Sequence, residues 1–449
     1  MNTKQRALSL LFAVMMVAVL FVAVPTMVYA AGPTDANTVE LFNSASVSQG
    51  LFSFDGALAS AGSNYTLVLQ ADITTTATVT IPVFLHIDLN GHVLSINNPS
   101  GIALQINGEE LDVKGPGILS IYGNVATANS AFLCRNDATV RVEGTINSQA
   151  VDHDALAVKD GARVTVVGNV NAPALTPGIE SFAIANDNGV VEIIGSVATS
   201  GNAVGCANGG TVTITGSVTA GGGGVGAMGE GSKVIVDHGV NAVGNGAVAT
   251  DGGTVSISGD VNAPTSANEW GWGYGVGANG GGTITVDGNV NSYLDGVWCM
   301  SESSIYIKGN VTAAGGCGVW CTDESEVTID GTLTITNPDA IFIEVAGVEK
   351  TPTEYDPTSL KAGYRQYSAS QEWEGSPLRT SYVWLKYPAG PDGPDGPDGP
   401  DGPDGPIEPP KPGPQTPPTG DLGTLSSLGL VLVTSLLGLG FSIEGRRRF

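Results

Sequence analysis

Three groups of residues in this 449-residue chain combine types and spacings that could do chemistry. Asp152-His153-Asp154 places two carboxylates around an imidazole, just ahead of an apolar alternating segment. Arg135 and Lys159 fall at equivalent, outward positions of neighbouring repeats, and Arg141 falls on another face. Paired carboxylates would serve glycoside hydrolysis, and an acidic cluster beside a basic group would serve elimination from an acidic sugar. Asp237-His238 is a smaller candidate of the same kind. Neither group forms a recognisable catalytic motif, and Asp and Asn suit bends for conformational reasons alone. A solvated bend is therefore the plainer expectation for both, and no catalytic residue is assigned.

The second group is aromatic. Trp298 and Trp320 stand eleven residues before Gly309 and Gly331, which makes them outward neighbours in adjacent repeats. In the repeat before them that position is Gly277, preceded by a long insertion carrying Trp270, Trp272 and Tyr274. Aromatic faces stack on sugar rings and on protein partners. The insertion either leaves an exposed platform or folds over the tryptophans as a local minicore, and both readings stand. The third group, Cys134, Cys206, Cys299, Cys317 and Cys321, contains no CxxC pair, which argues against a metal or redox site. No cofactor is expected. A net charge of −25 argues against nucleic-acid binding, which needs clustered Lys and Arg.

The elements that must position these residues come from a repeated phrase between Leu111 and Ile335. Thr211-Val-Thr-Ile-Thr-Gly216-Ser-Val-Thr-Ala220 and Ser304-Ile-Tyr-Ile-Lys-Gly309-Asn-Val-Thr-Ala313 are clear copies. The turn position falls at Gly123, Gly144, Gly168, Gly195, Gly216, His238, Gly259, Gly288, Gly309 and Gly331, at steps of 21 to 29 residues. A fixed period with variable insertions marks a solenoid. Alternation within each phrase predicts three short strands per coil, inward columns of like residues, and three parallel sheets. Ten coils at ~4.8 Å would make a rod on the order of 50 Å long. Counting back twelve residues from the turn predicts an inward column through Phe132, Leu156, Ala183, Val204, Gly226 and Val276. Counting back ten predicts one through Cys134, Ala185, Cys206, Met228, Cys299 and Cys321, so four cysteines read as buried hydrophobes. Cys299 and Cys321 come close in that register, with Cys317 nearby, and whether any of them pair stays open.

The fold class that follows is all-β: a parallel β-helix of about 10–12 coils over residues 65–346. Residues 32–64 are expected to cap its first coil, with a short helix or irregular segment over 38–54, and residues 347–388 to cap its last. The alternating aromatic segments between Tyr364 and Tyr387 fit a cap hairpin, with a small glycan-binding module as the sharper alternative. Residues 1–31 read as a secretory signal: Lys4 and Arg6, an apolar run from Ala7 to Val24, then Val28-Tyr29-Ala30. An uncleaved anchor is the alternative. Residues 389–415 carry a Gly-Pro-Asp run and further prolines, a stiff acidic spacer rather than a collagen.

The stretch Ile87-Asp-Leu-Asn-Gly-His-Val-Leu94 resembles the first-coil phrase of many bacterial extracellular right-handed β-helix proteins, the pectin-lyase-like fold. Many such proteins cleave acidic polysaccharides, so the resemblance makes a lyase or hydrolase the alternative function. Residues 416–449 carry Thr416-Pro417-Pro418-Thr419-Gly420, an apolar stretch from Leu422 to Ile443, and Arg446-Arg447-Arg448. This ending resembles the sorting signal of sortase-anchored Gram-positive surface proteins, whose pentapeptide is Leu-Pro-x-Thr-Gly; Thr416 replaces the usual Leu. The resemblance implies cleavage between Thr419 and Gly420. The Thr419 carboxyl would then pass through a sortase thioester to an amine of the peptidoglycan precursor. The apolar run is long enough to span a membrane, and the arginines would hold the tail on the cytoplasmic side. A permanent transmembrane anchor is the alternative. The leading expectation is thus a non-enzymatic, wall-anchored surface rod with an adhesin or coat role. Its ligand would be a glycan or a host or neighbouring-cell surface, or no ligand at all.

Overall fold

The computed structural model describes residues 38–98, 101–123, 130–148, 153–173, 175, 181–264, 273–372 and 378–387. The signal region, the spacer and the sorting motif Thr416–Gly420 lie outside these residues, as do Asp152, Trp270 and Trp272. The described residues form a parallel β-solenoid of about eleven turns. Its strands line up in sheets of 16, 12 and 13 strands.

Each coil follows from side-chain alternation. Thr211–Ile214, Val218–Ala220 and Val225–Met228 run consecutively, one in each sheet, and each pairs in parallel with its copy one coil on. Val and Ile at alternate positions point inward and stack on their own kind. Val140, Val164, Val191, Val212, Val234, Val255 and Ile284 form one register column, each essentially inaccessible. β-branched side chains suit this pleated, half-buried surface.

Gly, Asn and Asp recur at two of the corners. At the first, the turn glycines stack backbone on backbone. A Cβ on Gly168 would lie 2.1 Å from the Gly144 carbonyl oxygen, which no side chain tolerates. The second corner uses left-handed residues, among them Asn136 and Asp137, Asp160 and Gly161, and Asp251 and Gly252. Asn and Asp reach that conformation at lower cost than other side chains. Many of the acidic residues thus mark bends.

The structure corrects the register at three places, two of them across the second corner. Three or four residues usually separate the sheets there, and the count slips where the corner changes length. Ile184 and Asn186, not Ala183 and Ala185, continue the inward columns, and Val225 and Ala227 replace Gly226 and Met228. One coil earlier, the glycine equivalent to Gly144 is Gly117 rather than Gly123, since Ile118 pairs with Thr145. Asn186 is therefore a buried polar residue in an apolar column. Its amide nitrogen donates to the Gly189 and Thr211 carbonyls at 3.0 and 2.9 Å, and its oxygen accepts from the Gly189 N–H at 3.0 Å. It closes the shortened corner by taking the place of backbone bonds.

The ends are closed by antiparallel pairs. Val39–Phe42 pairs with Ser48–Phe52 and with Tyr65–Leu69. This hairpin occupies the stretch expected to be a short helix or irregular; the helix follows, at Phe54–Ser60, where Ser53 Oγ accepts the Gly56 N–H and Phe54 and Ala57 are buried. At the other end Ile343–Val345 pairs with Val348–Lys350, and Tyr364–Gln371 pairs with Arg379–Lys386. No helix among the described residues is long and apolar enough to cross a membrane.

Candidate functional site

The described part of the carboxylate candidate, His153 and Asp154 with Arg135, Lys159 and Arg141, is spread along the coils. His153 precedes the strand Asp154–Lys159, and Asp154 opens it. Asp154 Oδ1 accepts the Phe182 N–H at 2.9 Å, and burial pushes its carboxyl up to about 7, against the opposing pull of that bond and of Lys159. A carboxyl held there has the proton affinity a general acid needs. Lys159 and the laterally equivalent Arg135 stand five residues along their strands, about 16 Å away at the backbone, and of the two Lys159 is the one whose charge acts on Asp154. Arg141 lies in a different sheet and pairs with Glu143 at 2.8 Å. His238 sits exposed at its corner and donates from Nδ1 to the Thr215 carbonyl at 2.7 Å, which makes it a bend residue. Among the described residues of this candidate, nothing converges on one reacting atom.

The cysteines occupy the core. Cys134, Cys206, Cys299 and Cys321 share one inward register column; all five, including Cys317, are free and buried. Burial raises the Cys206 thiol to about 11 and, with Asp295 adding, Cys317 to about 12, so thiolate chemistry is suppressed at neutral pH.

The aromatic group does converge. Gly277, Trp298, Trp320 and Glu344 are register neighbours on the outward face of the thirteen-strand sheet. The Trp298 and Trp320 rings lie 5.7 Å apart with 12° between their planes, and Tyr274 continues the stack 5.9 Å from Trp298 at 16°. Tyr274 comes from the segment ahead of its strand, yet its ring lies over Gly277. A Cβ there would meet both Tyr274 and Trp298 at 3.4 and 3.3 Å. Gly277 is the gap in the column that Tyr274 fills. Ring carbons in contact are separated by ~3.5–4 Å, so these rings are slipped by roughly 4 Å, like overlapping tiles. Each ring therefore offers part of a face as well as an edge, and Tyr274, Trp298 and Trp320 are all half-buried.

Carboxylates close the far end of this ladder. Trp320 Nε1 donates to Glu344 Oε1 at 2.9 Å. Glu344 stands directly opposite Glu349 in the antiparallel pair that ends the sheet. Asp295, in the bend before Trp298, accepts the Cys317 N–H at 2.5 Å. Burial raises the Asp295 carboxyl, and Glu344 adds to the effect. Burial also raises the Tyr274 hydroxyl, against a bond from Asn245. Sequence reasoning did not single out Glu344, Glu349 or Asp295. Alternation alone would have found Glu344, because Ile343 and Val345 face inward and leave it in the tryptophan column. Among the described residues no group of His, Cys, Asp and Glu is arranged to hold a metal ion.

No family model, no curated protein and no solved structure matches this chain. The functional reading therefore rests on its own residues.

Proposed function

We propose that this chain is a non-enzymatic surface rod that binds its partner through the aromatic ladder of Tyr274, Trp298 and Trp320. On this reading residues 1–31 direct export. Residues 416–449 direct attachment to peptidoglycan through Thr419, and the Gly-Pro-Asp spacer holds the rod away from the wall. The ladder carries the binding part: on the outward face of the thirteen-strand sheet, where the preceding coils present Ala, Gly and Val, three aromatic rings gather into one strip. Aromatic surface of this kind stacks on sugar rings, which makes a glycan the favoured partner.

Two measurements test it. Peptidoglycan fragments from cells producing the full chain should carry peptides ending at Thr419, and a chain wholly extracted by detergent would overturn covalent anchoring. On an immobilised glycan panel the full chain should bind, and Trp298→Ala with Trp320→Ala should abolish binding while circular dichroism stays unchanged. Undiminished binding would remove the ladder from the function. A second reading, hydrolysis or elimination of a polysaccharide, is favoured by the Asp154 carboxyl alone. Sugar release that Asp154→Ala abolishes would establish it.

A further inference from the structure

The binding reading leaves the chemical class of the glycan open, and the residues around the ladder narrow it. Glu344 and Glu349 face each other across an antiparallel pair, an arrangement that is destabilising for like charges unless something offsets it. One of them is tied to the ladder by the bond from Trp320 Nε1. Asp295 flanks the same end closely enough for Glu344 to disfavour its ionised form. The strands that carry the ladder, Val276–Asn279, Val297–Cys299, Val319–Cys321 and Ile343–Val345, contain no Lys or Arg. Lys350 pairs opposite Ile343, on the inward side of the same hairpin. The whole chain carries a net charge of −25. An acidic polysaccharide would meet repulsion here. A cation would meet opposed carboxylates beside aromatic faces, which is the setting in which an ammonium group is held by ion pairing and by the ring quadrupole together.

Resting on the glycan reading above, we propose that the ladder and Glu344/Glu349 form a binding site for an amino-glycan with free primary ammonium groups. Sugar rings would stack along Tyr274, Trp298 and Trp320, and an ammonium group would sit between Glu344 and Glu349. The three rings span two coil steps, on the order of 10 Å along the rod, which suits successive rings of a linear saccharide better than a lone cation. The small Gly277 and the tile-like slip are what give the strip its continuous surface.

Isothermal titration of the full chain at about 0.15 M salt tests this, with glucosamine tetramer, N-acetylglucosamine tetramer, cellotetraose, tetragalacturonate and tetralysine as probes. Glucosamine tetramer should bind at least about tenfold more tightly than its acetylated or neutral counterparts, and tetragalacturonate should not bind. Glu344→Gln with Glu349→Gln should remove that preference and leave any weak neutral-glycan binding intact. Trp298→Ala with Trp320→Ala should remove all saccharide binding, and Trp320→Phe should keep most of it. Equal affinity for the amino and acetylated tetramers would overturn the ammonium assignment while leaving glycan binding standing. Tetralysine binding as tight as the glucosamine tetramer and insensitive to the tryptophan substitutions would mean nonspecific attraction to an acidic chain, and would also overturn it. Absence of binding by every saccharide would sink both this assignment and the reading it rests on.

Discussion

Asp154 shows how one residue can carry a perturbed proton affinity without belonging to a site. Burial raises its carboxyl to about 7 in the folded protein. A raised carboxyl contributes stability that is fully present below the ordinary carboxylate range and is lost as pH climbs through the folded value. Melting temperature should therefore decline between about pH 4 and pH 7 from this group. Asp154→Asn keeps an acceptor for the Phe182 N–H and removes the titration. Its melting temperature should match the parent at pH 4 and exceed it at pH 8, by thermal denaturation at both. A variant less stable than the parent at pH 8 would mean the ionised carboxylate has a favourable partner and a role. Asn186 makes a related point from the other side: a polar side chain inside an apolar column is tolerated because its amide nitrogen and its oxygen are both hydrogen-bonded within its corner.

At the scale of elements, the C-terminal hairpin closes the sixteen-strand sheet: Arg379–Lys386 runs parallel to Glu326–Ile329, and Tyr364–Gln371 lies outside it. It is latched from above by side chains. Asp330 accepts from the Tyr306 hydroxyl at 2.8 Å and from the Tyr364 hydroxyl, and Lys386 lies 3.7 Å away. The Lys361 ammonium stands over the Tyr364 ring at 4.6 Å and bonds Thr328 at 3.0 Å. Burial pushes the Asp330 carboxyl up, but the two tyrosine bonds and the nearby lysines together bring it below the usual range. A depressed carboxyl gives stability that is present above its ordinary value and lost as pH falls through the folded one. Protection of the amides across residues 379–386, relative to the intrinsic exchange rate at each pH, should accordingly fall in acid, below about pH 4. Asp330→Ala should bring that loosening to neutral pH and lower stability by about 1–2 kcal/mol, read from the urea midpoint. Unchanged exchange there would mean that apolar packing alone, chiefly Tyr367, Val383 and Leu385, holds the cap.

Over the whole molecule, stability is a sum of coils and of the interfaces between them, because each coil touches its two neighbours and little else. A charge in an inward column therefore disturbs the coil below and the coil above. Val234→Asp, between Val212 and Val255, should cost at least about 4 kcal/mol and unfold much of the rod at 37 °C, measured by far-ultraviolet circular dichroism. A fold that survives with a small loss would show that coils bend around a defect independently. The same one-dimensional architecture makes outward faces the place for function, and places the ladder in the last coils, toward the C-terminal end of the rod.

The period, the all-β class, the parallel stacking and the burial of four cysteines in one column were legible in the sequence, because strand alternation and a recurring glycine are local signals that repeat. The placement of Trp298 beside Trp320 followed from the same counting. What the sequence did not determine lay across corners. Whether a bend holds one residue more or fewer depends on how its backbone bonds are met, so Ala183, Ala185, Gly226 and Met228 were displaced from the columns by a single step. Only the tertiary structure decided that Asp154 is buried against the Phe182 N–H of the next coil, since a contact between coils at the start of a strand is not set by alternation. It alone decided that Tyr274 lies back over Gly277 and that Glu344 faces Glu349, because both depend on chain segments that leave the repeat and return to it in space.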